Sequence, residues 1–344
     1  MFPGQGAQYV GMGACLHKGS AAARRVFEEV DESLGRFLSR EMFSGTAASL
    51  SRTSTTQPAL LAHSIAVLRC LEETRGEAML PSLVMGHSVG EFAALVSTGS
   101  LGLSEAARLL RIRGEAMQAA ADASQASCTM QALLFSPSRE NGEGGGVERA
   151  LQAVLECART ACEESTLAGK GTVTIAALNS PTQVVLSGHA LAVEHAVALL
   201  QGRGGAGGDP VHPRLRRAIA LPVSAPFHSP IMLPAAETLR EALSGCSLLP
   251  SSTPLLAGLH ARPVSSRADL EAALVGGVAS PVVWGECVHR ALRECGGEKG
   301  VHFLELGGVE GGTLCALVRQ GLKEGVLTNS LSTMASIKNF TLPQ

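Results

Sequence analysis

Residues 83–97 read LVMGHSVGEFAALVS, in which an apolar run, a glycine-bounded turn and a second apolar run follow one another. The first run predicts a buried strand ending at Met85, and the second predicts a helix beginning at about Glu91. In that setting a G-x-S-x-G pentapeptide, here residues 86–90, is typical of a nucleophile elbow, because the tight turn presents the serine hydroxyl outward. The following helix directs its first N–H groups at the same spot and stabilises negative charge there. The pattern therefore predicts Ser88 as a catalytic nucleophile.

Apolar periodicity on both sides of this turn predicts a parallel α/β sheet, because strands and helices alternate. Around the turn it predicts helices and one strand, at Ala21–Leu34, Gln57–Glu73, Leu83–Met85 (the strand), Glu91–Ser97 and Ser104–Ala121. Towards the C-terminus it predicts three helices and two strands, at Pro230–Leu243, Trp284–Glu294, Thr313–Leu322, and Pro254–Leu256 and His302–Leu306 (the strands).

The middle of the chain has a different order of elements. It predicts strand, helix, two hairpin strands, helix and strand, at Met130–Phe135, Val147–Cys162, Thr172–Ala177, Gln183–Ser187, Ala190–Leu200 and Arg217–Val223. This β-α-β-β-α-β order is that of a ferredoxin-like unit. We therefore predict an α/β core formed by residues 1–127 and 224–344, into which a ferredoxin-like subdomain, 128–223, is inserted. The glycine-rich stretches 138–146 and 202–210 predict surface loops.

A serine hydroxyl is a weak nucleophile unless a base takes its proton. His228 has the most suitable setting for that base, because it follows a strand that ends at Val223 and precedes Ser229-Pro230, a typical helix N-cap and first-turn proline. His87 is expected to point away from the hydroxyl along the turn. The sequence thus predicts that Ser88 and His228 act as a pair.

The helix predicted at Ser104–Ala121 carries an arginine within its apolar stripe. Arg113 lies three residues after Leu110 and four before Met117, so helical spacing buries it among them. A buried guanidinium is costly unless an anion meets it. Two alternatives follow: an internal ion pair, for example with Glu91, or a bidentate bond to a substrate carboxylate.

Composition excludes several classes of function. The 344 residues include 28 Lys and Arg against 30 Asp and Glu, a balance that provides no global field for nucleic acid or an anionic membrane. No apolar run reaches the roughly 20 residues of a membrane span, and the nine cysteines have no zinc-ligand spacing. We therefore predict no membrane span, no nucleic-acid partner and no metal. Because a Pro-Gly turn normally follows a strand, we also expect a strand or a targeting leader before Met1.

Six stretches resemble, in order, those of one family: the malonyl-CoA:acyl-carrier-protein transacylases and the acyltransferase domains of fatty acid and polyketide synthases. They cover nearly the whole chain and are Phe2–Gln8 with Gly11-Met12, Thr56–Leu60, Gly86–Glu91, Arg113-Gly114 with Met117-Gln118, Asn179–Pro181 with Gln183–Val185 and Ser187-Gly188, and Pro226–Pro230. The resemblance implies a hydrolase-like α/β core with an inserted ferredoxin-like subdomain, which agrees with the element order. It also implies a malonyltransferase of fatty acid biosynthesis that needs no cofactor and uses malonyl-CoA and holo acyl carrier protein.

Carried over residue by residue, the resemblance implies a ping-pong transfer in which Ser88 is acylated and His228 is its base. The backbone N–H groups of Gln5 and Val89 would form the oxyanion hole, and Arg113 would hold the malonyl carboxylate. Four further residues would bind the substrate: Gln57, Met117, Asn179 and Phe227. Phe227 and Val89 resemble the malonyl rather than the methylmalonyl form of the family.

The chain departs from the family pattern at three places. Leu256–Gly258 stands where an Asn-rich stretch usually supplies the main-chain carbonyl that orients the histidine, so a carbonyl of this stretch is expected to hold His228. Gly307–Gly311 replaces the usual Gly-Pro-Gly after the last strand, which predicts a looser loop. The first strand that the family has before Phe2 is absent.

Two other functions stay open at this point. A serine thioesterase or esterase of the α/β-hydrolase type needs an acid between Ser88 and His228 in chain order, and Asp209, in a glycine-rich loop, is a poor candidate. A non-catalytic member that binds acyl chains or a synthase partner is the other alternative.

Partner and compartment are predicted from composition alone. Three basic residues are a candidate contact for an acidic carrier protein, with a solvated charge run as the alternative: Arg214, Arg216 and Arg217. The glycine-rich insertions and many cysteines favour the mitochondrial matrix, with the cytoplasm as the alternative. We expect a monomer.

Overall fold

The computed structural model describes residues 1–124, 126–136, 146–203, 214–223, 225–297, 301–322 and 326–341. The predicted surface loops 138–146 and 202–210 lie almost wholly outside the described residues. The helices are α1 Ala14–Gly19, α2 Ala21–Leu34, α3 Leu38–Ser44, α4 Ala47–Leu50, α5 Thr53–Arg75, α6 Gly90–Ser97, α7 Leu103–Ala123, α8 Gly146–Leu167, α9 Ala190–Arg203, α10 Leu233–Ser244, α11 Arg267–Ala279, α12 Trp284–Glu294, α13 Thr313–Gly321 and α14 Met334–Lys338. The strands are β1 Val84–Met85, β2 Cys128–Phe135, β3 Val173–Ser180, β4 Gln183–His189, β5 Leu215–Ala220, β6 Leu255–Ala257, β7 Arg262–Val264, β8 His302–Leu306 and β9 Leu327–Leu331.

The serine turn, residues 86–90, directly follows β1 in the larger part of the chain. β6 lies parallel to β1 and antiparallel to β7, and β9 lies parallel to β8. Between β1 and β8, Phe2 forms a parallel bridge with Gly86. The amino group of Met1 donates to Leu304 O at 2.7 Å, and the Met1 carbonyl accepts from Leu306 N at 3.0 Å. Met1 and Phe2 therefore lie between β1 and β8, in the place of the first strand that was expected before Phe2.

A separate antiparallel sheet has the strand order β3-β4-β2-β5. In chain order β2, α8, β3, β4, α9 and β5 form the β-α-β-β-α-β unit, which confirms the ferredoxin-like prediction. At the β3 edge, Val282 forms a parallel bridge with Ala177. The core therefore supplies a neighbour to this edge of the subdomain sheet, which would otherwise be unpaired.

Buried apolar side chains form two groups. The larger contains Phe2, Trp284 and the residues around the serine turn, while the smaller lies wholly within the range from Leu133 to Leu215. Two separate cores are what an inserted subdomain requires, and they support the division into 1–127 with 224–344 and 128–223, whose boundaries stay a prediction. No helix among the described residues is long and apolar enough to cross a membrane.

The predicted elements differ from the observed ones in a few places. The predicted helix Pro230–Leu243 is a 3-10 turn, Pro230–Met232, followed by α10. The predicted strand Arg217–Val223 ends at Ala220, because Pro222 lacks the N–H that would continue a ladder. Seven short or weakly patterned elements were not predicted: α1, α3, α4, α11, α14, β7 and β9.

Glycines allow the serine turn to pack backbone against backbone. A Cβ on Gly86 would overlap the backbone of Gly90 and Glu91, and a Cβ on Gly90 would overlap the carbonyl of Phe2. Rigid backbone cannot give way as a flexible side chain can, so the turn requires glycine at both positions. The position of Ser88 relative to the sheet depends on this close approach.

We predict that Gly90→Ala destabilises the protein by about 2–3 kcal/mol, because the added methyl group must displace the backbone of Phe2. Gly202→Ala is the matched control, since no atom of the described residues lies within 4 Å of a Cβ at that helical position. It should be neutral or stabilising by up to about 1 kcal/mol. Urea unfolding measures both, and equal midpoints for the two variants would contradict the packing described here.

Candidate active site

The turn holds Ser88 in a strained backbone conformation. Its φ is 53°, in the left-handed region that residues other than glycine rarely adopt. β1 ends at Met85 and α6 begins at Gly90, so the serine stands where strand gives way to helix. Strain that the surrounding structure maintains is common at functional sites, because it fixes the direction of a side chain.

The hydroxyl of Ser88 accepts a hydrogen bond from Arg113. Nη2 of Arg113 lies 3.0 Å from Ser88 Oγ, and Nη1 lies 2.8 Å from Oε1 of Gln57. The amide nitrogen of Gln57 lies 3.5 Å from Sδ of Met117, which fixes the orientation of the amide. Four residues singled out in the sequence therefore form one network that ends at the serine hydroxyl.

The guanidinium of Arg113 is a buried cation that forms no ion pair within the described part of the chain. Arg113 is 3% exposed; among the described residues no carboxylate lies within ion-pair distance, and its Nε has no hydrogen-bond partner. Burial lowers the pKa of Arg113 to about 10, although the charge of Glu91 partly offsets this effect. The guanidinium is therefore protonated at neutral pH, and the internal ion pair with Glu91 that the sequence left open is not formed.

Glu91, in the first turn of α6, has a different partner. Its Oε1 accepts a hydrogen bond from Gly258 N at 2.7 Å. Burial raises the pKa of Glu91 to about 7, and the bond from Gly258 and the charge of Arg113 act in the opposite direction. The carboxyl group therefore joins the helix after the serine turn to the end of β6.

His228 is the second residue of the site in a left-handed conformation, with a φ of 57°. Its Nδ1 lies 2.8 Å from the carbonyl oxygen of Gly277 and 3.1 Å from that of Ser280. Carbonyl oxygens only accept, so Nδ1 carries the proton and Nε2 is left as a proton acceptor. This is the tautomer that a base for a serine hydroxyl requires.

The source of these carbonyls corrects the sequence expectation. Leu256–Gly258 was expected to orient His228, but the carbonyl of Gly258 accepts from Val283 N at 2.8 Å instead. The orienting carbonyls lie at the C-terminal end of α11, a helix that was not predicted. Its N-cap was a usable signal, because Ser266 accepts from Asp269 N at 3.2 Å in the S-x-x-D spacing typical of a helix start.

His228 is neutral at physiological pH. Burial, followed by the charges of Arg113 and His87, lowers the pKa of His228 to about 3. Ser88 Oγ is bonded to Arg113, and in the described part of the chain no hydrogen bond joins it to His228. A nucleophile and its base commonly complete their hydrogen bond only when substrate is bound.

The loop of residues 3–7 lies directly against the serine turn. A Cβ on Gly4 would be 2.5 Å from the carbonyl oxygen of His87, so only glycine allows this approach. Ala7 N donates to Gly4 O at 3.3 Å and closes a turn around the residues between them. The loop is therefore held close to the nucleophile from the N-terminal side.

Two backbone N–H groups beside Ser88 remain available. Neither Gln5 N nor Val89 N donates to an acceptor within the residues that the structure describes. The side chain of Gln5 is turned towards Thr53, with Nε2 at 3.5 Å from Oγ1. Unpaired N–H groups on two converging loops are what an oxyanion hole requires.

Asn179 and His87 join the ferredoxin-like subdomain to the serine turn. Nε2 of His87 lies 2.9 Å from Oδ1 of Asn179, and the His87 ring is tilted against that of Trp284 at 5.8 Å between centroids. Burial lowers the pKa of His87, so the neutral ring donates from Nε2. His87 is therefore directed at Asn179 rather than at the Ser88 hydroxyl. The bond between these two residues was not anticipated from the sequence.

Phe227 takes no part in this polar network. It is buried in the larger core, directly before His228 in the chain.

Two cavities of about 790 and 510 Å³ lie along α8 and α12, and no residue of the network around Ser88 lines them. Within the described ranges no group of three or more His, Cys, Asp or Glu residues could hold a metal ion. The arrangement of Ser88, Arg113 and His228, rather than cavity size, identifies the site.

We predict that the His228 imidazole does not titrate between pH 5 and pH 8. A group whose pKa is lowered to about 3 keeps its neutral form throughout that interval. Two-dimensional NMR of ¹⁵N-labelled histidine measures this, with His228→Gln used to assign the signals. A titration midpoint near the ordinary histidine value of about 6.5 would contradict the burial described here.

Known proteins share the sequence and the fold of this chain. A profile of the family described as acyl transferase domain matches residues 1–141. Over 93% of its length the chain is 37% identical to the malonyl CoA-acyl carrier protein transacylase of Bacillus subtilis strain 168, of which the match covers 89%.

Two solved structures are similar over nearly the whole chain. The acyl-carrier-protein S-malonyltransferase of Bartonella henselae has a TM-score of 0.80 at 34% identity, with 98% of this chain and 96% of that chain covered. A malonyl-transacylase in complex with its type II polyketide synthase acyl-carrier protein has a TM-score of 0.81 at 28% identity, with the same coverage. The chain therefore belongs to the malonyl-CoA:acyl-carrier-protein transacylase family of acyltransferases.

Proposed function

We propose that this chain transfers the malonyl group of malonyl-CoA to the phosphopantetheine thiol of acyl carrier protein, through a malonyl ester on Ser88, in fatty acid biosynthesis. The observation that carries this proposal is the buried guanidinium of Arg113, which is bonded to Ser88 Oγ at 3.0 Å and has no carboxylate partner among the described residues. A fixed cation beside a nucleophile suits an acyl group that carries its own carboxylate.

The distance of 3.0 Å between Arg113 Nη2 and Ser88 Oγ also limits the length of the acyl group that the site would take. In a malonyl thioester a single methylene group separates the carboxylate from the carbonyl carbon that is attacked. One guanidinium within hydrogen-bond distance of Ser88 Oγ can hold such a carboxylate while the carbonyl lies at the hydroxyl. Dicarboxylic acyl groups with longer spacers would place the carbonyl beyond Ser88.

The first half-reaction places the proton on His228. Nε2 of His228 takes the proton of Ser88 Oγ while the oxygen attacks the thioester carbonyl carbon. The N–H groups of Gln5 and Val89 stabilise the resulting oxyanion. The C–S bond then breaks, and coenzyme A leaves as the thiol with the proton from Nε2.

The second half-reaction reverses these roles. The phosphopantetheine thiol gives its proton to Nε2 of His228 and attacks the carbonyl carbon of the malonyl ester. The bond to Ser88 Oγ breaks, and the serine recovers its proton from Nε2. Only side chains and backbone groups of this chain are used, and each half-reaction returns His228 to the neutral form favoured by burial.

The rival hydrolases are less well supported. An α/β-hydrolase triad uses a carboxylate to hold the histidine, whereas two backbone carbonyls, of Gly277 and Ser280, hold His228 here. A hydrolase for general esters also has no use for a buried cation at its nucleophile. A non-catalytic role does not account for the strain at Ser88 and the available Nε2 of His228.

Phe227 and Val89 support a preference for malonyl over methylmalonyl groups within this proposal. Both side chains are buried, and each lies next to a reacting residue in the chain. An added α-methyl group on the substrate would have to be accommodated against these side chains. Asn179 would line the acyl pocket, where its hydrogen bond with His87 would hold its side chain in place.

Carrier protein would approach from the β5 side of the subdomain. Arg216 and Arg217 are exposed on β5, and Arg214 is exposed directly before it. Among the described strands β5 pairs with β2 alone, so it is the edge of its sheet. Exposed basic residues at an edge strand would increase the association rate with an acidic partner.

The compartment is the reducing interior of the cell within this proposal. The nine cysteines of the chain form no disulfide bond with one another, as is usual in a reducing compartment. The mitochondrial matrix stays the compartment predicted from composition and the cytoplasm its alternative, and the monomeric state likewise stays a prediction.

We predict that Arg113→Gln lowers the rate constant for malonylation of Ser88 by about 100-fold, because the charged bond to the substrate carboxylate is lost. Acetylation from acetyl-CoA should change by less than about threefold. Intact-mass spectrometry after rapid mixing measures both reactions, with Ser88→Ala as the blank.

The matched control is Arg111→Gln on the outer face of α7. Arg111 donates to Leu34 O at 3.1 Å and pairs with Glu115, away from the serine. The Arg111→Gln variant should leave the rates of both malonylation and acetylation unchanged. Equal losses of malonylation and acetylation in Arg113→Gln would contradict the carboxylate role, and steady release of coenzyme A without an adduct would favour a thioesterase.

For the carrier surface we predict that the double variant Arg216→Glu, Arg217→Glu raises KM for acyl carrier protein about tenfold. Malonylation of Ser88 from malonyl-CoA should stay unchanged. The control is Arg24→Glu with Arg25→Glu, an adjacent exposed pair on α2. An unaltered KM for the carrier, or the same increase in the control, would remove β5 from the contact.

A further inference from the structure

Another buried polar residue of α5, His63, has no part in the network around Arg113. Its ring is fully buried. Nε2 lies 3.0 Å from Ser332 O, and Nδ1 accepts a hydrogen bond from Gly308 N at 3.2 Å. The imidazole therefore joins α5 to the loop that follows β8 and to the residue that follows β9.

The two bonds fix the tautomer of His63. Ser332 O can only accept, so Nε2 carries the proton, and Nδ1 is free to accept from Gly308 N. Burial lowers the pKa of His63 to about 4, so the ring is neutral at physiological pH. The ring also meets the edge of Tyr9 at 6.0 Å between centroids. Every polar atom of the side chain therefore has a partner.

Gly308 carries this restraint to the loop of residues 3–7. Its φ is 75°, and a Cβ at this position would lie 3.0 Å from both Pro3 Cγ and Ala7 Cβ. The backbone of Gly308 therefore packs directly on the two ends of the loop. A proline at position 308 would have no N–H to give to His63.

The loop is thus confined on two sides. On one side Gly4 touches the carbonyl of His87 in the serine turn, and on the other Gly308 touches Pro3 and Ala7. Gln5, whose N–H is the candidate oxyanion donor, lies between these contacts. An oxyanion donor is effective only when it is held in place before the charge develops.

We propose that His63 is a positioning residue for the oxyanion hole: through its hydrogen bond from Gly308 N it holds the loop that presents Gln5 N–H to the reacting carbonyl. The proposal rests on the proposed function of Gln5 as an oxyanion donor. His63 does not touch substrate. Its contribution is to keep the loop after β8 pressed against residues 3–7.

Two polar substitutions each preserve one of the two hydrogen bonds of His63 and remove the other. In His63→Asn the amide oxygen lies near the position of Nδ1 and can still accept from Gly308 N, but the side chain is too short to reach Ser332 O. In His63→Gln the amide nitrogen lies near the position of Nε2 and can still donate to Ser332 O, but nothing accepts from Gly308 N. Leu71→Ala, a truncation of a fully buried residue on the same helix, controls for loss of stability.

The readout is the single-turnover rate constant for malonylation of Ser88 at saturating malonyl-CoA, with the half-saturating concentration and the melting temperature measured for each variant. We expect His63→Gln to lower the rate constant about tenfold, with less than a twofold change in half-saturation, because a displaced donor loses part of the 10²–10³-fold effect of a whole one. His63→Asn and Leu71→Ala should stay within about twofold of wild type.

Equal rate constants for His63→Asn and His63→Gln would overturn the proposal. The proposal would also fail if the malonylation rate constant simply decreased with the melting temperature across all the variants. These outcomes are distinct from failure of the proposed function. If wild type forms no malonyl ester, the assignment of Ser88 fails; if wild type is acylated and the His63 variants match it, only the positioning role fails.

Discussion

The buried cation of Arg113, which forms no ion pair with any carboxylate of the described residues, is the constraint on which the rest of this site depends. Arg113 lies where α7 and α5 approach closely: a Cβ on Gly114 would lie 2.7 Å from Ser54 Cα. This approach places Gln57 at 2.8 Å from the guanidinium. The cost of burying the charge is offset only in part by these neutral partners, which leaves the site complementary to an anion. In the proposed function, this unneutralised positive charge is what selects an acyl group with its own carboxylate.

The two residues proposed to react, Ser88 and His228, are held by backbone more than by side chains. Ser88 and His228 both have left-handed backbone conformations, and carbonyls from the end of α11 hold the imidazole. The proposed oxyanion donors, Gln5 N–H and Val89 N–H, are likewise backbone groups. Backbone groups within packed strands and helices move little, so their positions are set before substrate arrives. Glu91, through Gly258, then connects the serine turn to the end of β6, and His87, through Asn179, connects it to β3.

Local signals allowed the sequence to predict much of this arrangement. The helix Ala21–Leu34 was predicted with the observed bounds, and the burial of Arg113 followed from helical spacing. What failed depended on contacts between distant segments. The carbonyls that hold His228 come from residues 277 and 280, and nothing in the sequence near either partner indicates that contact. The place of Met1 and Phe2 between β1 and β8, and the bond between His63 and Gly308, are invisible for the same reason.

The most direct test of the account is a crystal structure of the chain trapped with a malonyl group on Ser88. We predict that the malonyl carboxylate forms two hydrogen bonds with the Arg113 guanidinium, and that the ester carbonyl oxygen lies about 3 Å from the N–H groups of Gln5 and Val89. A carboxylate directed at solvent, with Arg113 still bonded only to Gln57, would contradict the central claim that this buried cation selects the acyl group.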